Sequence, residues 1–440
     1  MDKLSKLTNK IKDVNSVLLT INFLKWTIIG SIVGLLTGGV IAFFLKSLEY
    51  ATELRMNWPL LLFLLPIGGA IISYIYKKIG GDSSKGNNLI IDKINGYEGN
   101  VPVRMAPLVL LGTITTHLFG GSAGREGTGV QIGASLAELV GRIFKLDRHD
   151  KKIILMAGVS GGFSAVFGTP LAGTIFGLEI ATVGIVNYSA IIPCFAAAFV
   201  GNLVTMSLGI NHLGYNVTGI PEVTLVNVFK IVLCAILFGL LGRTFSKVSG
   251  KLKEIFSKKI QNIVIRTFVG GVIIIILTYI VGTRDYLGLS IPLLNESFIS
   301  RVSPLSFLFK LIFTAITLAT GFQGGEVTPL FVMGATFGNM LSFIMNLSPS
   351  FLAELGLIGI FSGATNSPIT SLVLGIEMFG SRGSGFMLMT CAISYIFSGH
   401  SGIYVSQKIV KSKSRTIIIP ADSNIREYQI KKKNRNKLSK

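Results

Sequence analysis

Charge is what this sequence has least of. Asp, Glu, Lys and Arg together make up 14% of its 440 residues, while 50% are apolar. A soluble domain carries about a quarter charged residues. With a mean hydropathy of +0.64, a water-soluble fold is excluded and the chain reads as an integral membrane protein. Cysteine and histidine are also scarce, at 3 and 4. Cys194, Cys234 and Cys391 lie in apolar segments without metal-ligand spacing and read as packing residues. There is no P-loop, no HExxH and no Cys/His metal set, which excludes the nucleotide and zinc chemistry those motifs carry. No cofactor is expected. A cleavable signal peptide is not expected either, because the first apolar run starts near Val17 and is too long.

Acidic residues are the rarer sign, 21 against 41 basic, for a net charge of +20. Mapping the excess removes a nucleic-acid reading. Lys3, Lys6, Lys10 and Lys12 crowd the N-terminus, and Lys408 to Lys440 is dense in Lys and Arg. Arg142, Lys145, Arg148, Lys151 and Lys152 form a third cluster. Arg243, Lys247, Lys251, Lys253, Lys258 and Lys259 form a fourth. The loop from Asn211 to Glu222 has no Lys or Arg. This is positive-inside asymmetry, which places both termini in the cytoplasm of a multi-pass plasma-membrane protein. Basic ends beside a bilayer attract anionic lipid.

What is plentiful is glycine, at 51, in apolar segments that are often shorter than the roughly 20 residues a straight crossing needs. Broken, tilted helices follow, tolerated at membrane depth where they are buried or line a cavity. The chain also repeats itself. Gly161–Ile180 (GGFSAVFGTPLAGTIFGLEI) matches Gly359–Met378 (GIFSGATNSPITSLVLGIEM) at Phe163/Phe361, Ser164/Ser362, Pro170/Pro368, Gly177/Gly375 and Glu179/Glu377. GREGTGV from Gly124 aligns with GGEVTPL from Gly324, pairing Glu126 with Glu326 and Thr128 with Thr328. The expected organisation is a basic N-terminus (1–16), a first membrane repeat (17–210), an external linker (211–224), a second repeat (225–405) and a basic tail (406–440). The tail includes a β-like TIIIP run. Such repeats are a transporter signature, with the substrate at the repeat interface.

GREGT and GGEVTP each read as a glycine-rich break leading into an apolar helix. Such a break leaves the first N–H groups of the helix unpaired at its positive end. Two such ends facing each other form an anion site without a full positive charge. Glu126 then mimics the anion, occupying the site when charged and leaving it when protonated. The competing reading makes Glu126 and Glu326 acids that only stabilise helix starts. Arg125 either pairs with Glu126 or snorkels towards water. A third break, GGDSSKGNNLI from Gly80, offers the amides of Asn87 and Asn88, or is an ordinary polar turn. Glu179 and Glu377 read as structural buried acids accepting N–H bonds from the opposite half. Tyr404 either donates to an ion or anchors at the interface. GVSGG admits an intramembrane serine hydrolase, with Ser160 as nucleophile and His117 or His400 as base, although neither histidine has a telling spacing.

GREGTGVQIG, GGFSAVFGTPLAG and GGEVTP resemble the CLC family of anion channels and proton-coupled antiporters, over nearly the whole chain. The resemblance implies an all-α membrane protein of two antiparallel, inverted-topology halves. It also implies a homodimer with one ion pathway per subunit and Glu126 as the gating, proton-carrying acid. The family's usual GSGIP is replaced by SKGNN, placing Asn87 near a serine of the central chloride site. GREGP has become GREGT, and GxFxP has become GGEVTP. These departures resemble the fluoride-exporting branch, with Glu326 and Thr328 as its added polar residues and Tyr404 as the central tyrosine. The second proton glutamate of many chloride members falls at Ile180 and is absent, as that branch implies. The expected anion-contacting set is Asn87, Glu126, Gly127, Glu326, Val327, Thr328 and Tyr404. Fluoride, with its tighter hydration, asks for more and stronger donors than chloride. The expected function is fluoride export in exchange for protons, the alternative a chloride channel or chloride/proton antiporter.

Overall fold

The computed structural model describes residues 2–212, 214–420 and 423–438. Met1 and Lys440, in the expected basic ends, lie outside these, as do the side chains of Lys3, Lys6, Lys10 and Lys12.

Over the described residues the chain is mostly helical. Its first part contains α1 (Asp2–Asn57), α2 (Leu65–Ile75), α3 (Asn87–Ile94), α4 (Met105–Leu118), α5 (Glu126–Ile143), α6 (Arg148–Phe167) and α7 (Pro170–Glu179). A two-residue strand, β1 (Thr182–Val183), precedes α8 (Ile191–Ser207). The second part contains α9 (Leu225–Lys259), α10 (Ile263–Val281), α11 (Ile291–Ile299), α12 (Ser306–Thr320), α13 (Val327–Met345), α14 (Pro349–Thr365), α15 (Pro368–Phe379) and α16 (Ser384–Phe397). The tail adds β2 (Lys408–Ile409) and α17 (Ile425–Leu438). α1 starts at Asp2 and runs through the expected basic N-terminal stretch into the first apolar run.

Among the described residues, six helices are long and apolar enough to cross a membrane. Others are short. α7 has 10 residues, about 15 Å at 1.5 Å per residue, half of a hydrocarbon core of about 30 Å. α7, α14 and α15 open on a proline, which gives up an N–H that a first turn does not use.

Close packing relies on glycine where backbones meet. A Cβ on Gly133 (α5) would stand 2.0 Å from the Gly158 carbonyl of α6. In the second half a Cβ on Gly334 (α13) would stand 2.2 Å from the Gly356 carbonyl of α14. Small residues of this kind let membrane helices associate where lipid supplies no hydrophobic drive.

The halves are inverted, and their repeat mates show it. The Glu377 carboxylate ending α15 accepts the N–H of Leu171 (2.9 Å) and Ala172 (2.7 Å), at the start of α7. The Glu179 carboxylate ending α7 accepts the N–H of Ile369 (3.3 Å) and Thr370 (2.9 Å) and the Thr370 hydroxyl (2.7 Å), at the start of α15. Each mate thus caps the other's beginning, so α7 and α15 run antiparallel. Parallel halves would bring like ends together. Phe163 and its mate Phe361 stack across the same centre with ring centroids 6.2 Å apart.

The tail folds back onto both halves. β2 pairs in parallel with β1, and the Gln407 amide donates to Ile180 O (2.9 Å) and Thr365 O (2.8 Å). The TIIIP run forms no strand. Its expected pairing falls instead on Lys408–Ile409, where β1 supplies a partner edge.

Candidate anion site

The two breaks meet. Gly124 and Gly325 exchange N–H···O=C bonds of 2.7 and 2.8 Å. This bridge aims the N-termini of α5 and α13 at one point. Gly324 takes a φ of +153°, where only glycine is comfortable. A Cβ on Gly325 would stand 2.8 Å from the Gly127 nitrogen, so the approach itself requires glycine.

Glu126 lies at the centre and is 1% exposed. Its carboxylate does not stay on its own helix. The N–H of Thr328, in the first turn of α13, donates to Oε2 at 3.0 Å, and the Thr328 hydroxyl donates to Oε1. The Arg125 N–H adds a bond to Oε2 of 3.1 Å. Hydrogen bonds to a charged group contribute about 1.5–3 kcal/mol each. A carboxylate oxygen therefore sits at the N-terminal end of α13, on that helix's first-turn donors. Gly124 makes room for it, because a Cβ there would stand 2.7 Å from Oε2.

The two threonines of the repeat are not equivalent. The Thr128 hydroxyl is 2.7 Å from that of Thr113 on α4, so it is engaged away from the site. Val327 is buried beside Thr328, and Glu326 is half-buried at the head of α13. Asn87 opens α3 and is 9% exposed. Its Nδ2 lies 3.0 Å from where a Cβ on Gly127 would stand, and its buried Oδ1 has no hydrogen-bond partner. Asn88 points elsewhere, accepting the Ser406 N–H at 3.1 Å. Tyr404 is 1% exposed, edge-on to Phe176 at 6.5 Å. Contacts thus join Glu126 to Thr328 and bring Asn87 beside Gly127, while the Ile180 carbonyl accepts from Gln407.

Arg125 forms no ion pair with Glu126. Its Nε is buried without a partner, and its charge is felt by His212 and Tyr215 in the linker. The hydrolase constellation does not assemble. Ser160 bonds the Thr174 carbonyl at 3.4 Å. The ring nitrogens of His117 lie 2.8 and 3.1 Å from the carbonyls of Thr113 and Ala123. His400 accepts the Lys413 N–H at 3.0 Å. Among the described residues no group of His, Cys, Asp and Glu is arranged to hold a metal.

Sequence reading missed Lys310. This fully buried residue donates to Ser122 Oγ (3.0 Å), Tyr286 O (3.3 Å), Gly288 O (2.8 Å) and Ser290 Oγ (2.9 Å). It thereby holds the loop that leads into Glu126. The signal was a single lysine inside the apolar run SFLFKLIFTAITLAT.

Comparison with known proteins agrees with the fold. Residues 68–399 match the family model described as "Voltage gated chloride channel". The chain is 41% identical over 413 residues to a "Chloride/fluoride channel protein" of Pseudomonas syringae pv. tomato, covering 92% of this chain and 91% of that one. It is 26% identical over 413 residues to an "H(+)/Cl(-) exchange transporter ClcA" of Vibrio cholerae, covering 86% and 87%. Among solved structures, a "CLC-type fluoride/proton antiporter" superposes with a TM-score of 0.85 at 32% identity, covering 88% of this chain and 98% of that one. A "slow cyanobacterial Cl-/H+ antiporter" superposes at 0.73 and 19% identity, covering 85% and 94%, and shares the fold. With its two inverted halves and helix ends converging on Glu126, the chain belongs to the voltage gated chloride channel (CLC) family.

Proposed function

We propose that this protein is a proton-coupled anion antiporter that exports fluoride from the cytoplasm in exchange for protons. The observation that carries the reading is the Glu126 carboxylate held by both the N–H and the O–H of Thr328. A charged Glu126 competes with the anion for these donors. Protonation removes that charge, and with it the attraction to the helix end. The neutral side chain leaves, fluoride takes the donors, and the proton travels with Glu126. Fluoride surrenders tightly held water and needs strong donors in return. Thr328 offers two, and the Asn87 amide stands beside Gly127. Glu326 and Tyr404 complete the wall of the pathway. The resemblance to a fluoride/proton antiporter supports this substrate over chloride.

The same reading makes the protein a homodimer in the plasma membrane with both termini cytoplasmic. The basic clusters at the ends and the uncharged linker support that orientation. The test is reconstitution in liposomes with simultaneous fluoride and pH recording. Fluoride efflux accompanied by opposed proton movement is expected. An absence of fluoride flux, a fluoride flux that drives no protons, or chloride efflux faster than fluoride efflux would overturn it.

A further inference from the structure

Away from Glu126 and opposite the chain's N-terminus, a cavity of about 320 Å³ opens between the end of α1 and the segment joining α10 to α11. Arg55 and Arg284 both line it. Their charges repel each other, yet among the described residues neither has a carboxylate within ion-pair distance. Arg55 Nη1 donates to the His117 carbonyl (3.2 Å), and Arg284 Nη1 donates to the Pro59 carbonyl (3.2 Å). These single bonds to neutral acceptors leave most of each five-donor fork unused. Behind the wall lies Lys310, whose ammonium reaches Ser290 Oγ and Gly288 O. Its acceptors, too, are all neutral. Asp285 at the exposed rim supplies the one negative charge of the cavity lining.

Two guanidinium groups and a buried ammonium against one rim carboxylate leave positive charge uncompensated, which is costly in a partly dehydrated site. We propose that this cavity binds a phosphate-class oxyanion between Arg55 and Arg284. The planar guanidinium fork matches phosphate oxygens in pairs. Apart from Thr52 and Ser290 the remaining wall is apolar, including Leu62, Leu287, Leu289 and Leu293, which suits the glycerol and acyl portion of a phospholipid. Trp58 beside the mouth is 65% exposed, and an exposed Trp of this kind marks the bilayer interface. The oxyanion is therefore either a lipid headgroup or a free phosphate.

The site is wired to the transport machinery. Arg55 bonds His117 O, the Gly288 N–H donates to Gly121 O at 3.2 Å, and Lys310 bonds Ser122. The first contact falls on the last turn of α4 and the other two on the loop that follows it into Glu126. An anion drawing Arg55 and Arg284 together steadies that loop.

The test uses purified full-length protein in uncharged detergent. Thermal unfolding is followed against inorganic phosphate, with choline chloride matching ionic strength, and separately against phosphatidylglycerol. Arg284 is exposed, so Arg284→Gln folds, and Arg55→Gln is the second variant. Stabilisation of the wild type by phosphate alone identifies a free-anion site, and stabilisation by phosphatidylglycerol alone identifies a headgroup site. In either case Arg284→Gln should weaken the apparent affinity about tenfold or more, the loss of one charge-assisted bond. If neither probe stabilises the wild type beyond the salt control, the proposal is overturned. It is equally overturned if Arg284→Gln responds as the wild type does.

Discussion

The Glu126 carboxylate reaches across from one half of the protein to Thr328 of the other, taking that residue's N–H and O–H together. The acid of the first repeat thus occupies the helix end of the second. Under the proposed mechanism its charge is what holds it there. Glu126→Gln should then keep anion movement and lose proton movement. Parallel fluoride and pH electrodes on proteoliposomes read both. Persistent proton coupling in the glutamine variant would remove Glu126 from its assigned role.

Thr328 is predicted to matter through its hydroxyl as well as its backbone. Thr328→Val keeps the shape and the N–H but deletes the O–H donor. Removing a hydrogen bond to a charged group costs about 1.5–3 kcal/mol, so fluoride affinity should fall roughly tenfold to a hundredfold. Thr328→Ser should restore most of it. Isothermal titration with fluoride is the measurement. Equal affinities for valine and threonine would show that the hydroxyl serves only the fold. Thr128→Val, by contrast, should leave fluoride affinity unchanged, because that hydroxyl is spent on Thr113.

The glycines separate into two kinds with different expected phenotypes. Gly124→Ala would put a methyl group 2.7 Å from Glu126 Oε2, the mobile end of a side chain, and 2.9 Å from the Pro329 ring. Transport should fall while the melting temperature drops less than in Gly133→Ala. Gly133→Ala would press a methyl group 2.0 Å from a backbone carbonyl that cannot turn away. Overpacking of this sort costs about 1–3 kcal/mol, so a lower melting temperature should accompany any loss of transport. Flux per folded molecule, measured beside thermal unfolding, separates the two. A Gly124→Ala variant that unfolds as early as Gly133→Ala would make Gly124 a packing residue.

What the sequence disclosed follows from which interactions are local. Glu126, its glycines and the helix behind it lie within one short motif, which alone signals a costly charge at membrane depth and becomes half of an anion site only beside GGEVTP. Its repeat mate supplied the second helix end. The exchange of hydrogen bonds between Gly124 and Gly325 was not legible, because backbone pairing leaves no side-chain signature. The unequal use of Thr128 and Thr328 was equally hidden. The repeat makes them look alike, and only the presence of Thr113 on α4 distinguishes them. Lys310 and Arg55 were missed for a related reason. Their partners are carbonyls and serine hydroxyls of segments distant in sequence, which carry no motif. In the tail, the TIIIP run looked like a strand, yet pairing went to Lys408–Ile409 because β1 offered its edge there.

The reciprocal pair Glu179 and Glu377 provides the last prediction. If both are structural, removing either should loosen the join between halves without touching selectivity or coupling. Their losses should differ. Glu179 is buried and accepts from two backbone N–H groups and the Thr370 hydroxyl. Glu377 is half-buried and accepts from two N–H groups. Each charge-assisted bond contributes about 1.5–3 kcal/mol, less where water competes. Glu179→Ala should therefore lower the melting temperature more than Glu377→Ala. In both variants the fluoride-to-proton ratio of the molecules that remain folded should match the wild type, because neither carboxylate contacts Glu126 or Thr328. A changed ratio at unchanged stability would instead place Glu179 on the proton route. That result would reopen the role of its neighbour Ile180, whose carbonyl is tied down by Gln407.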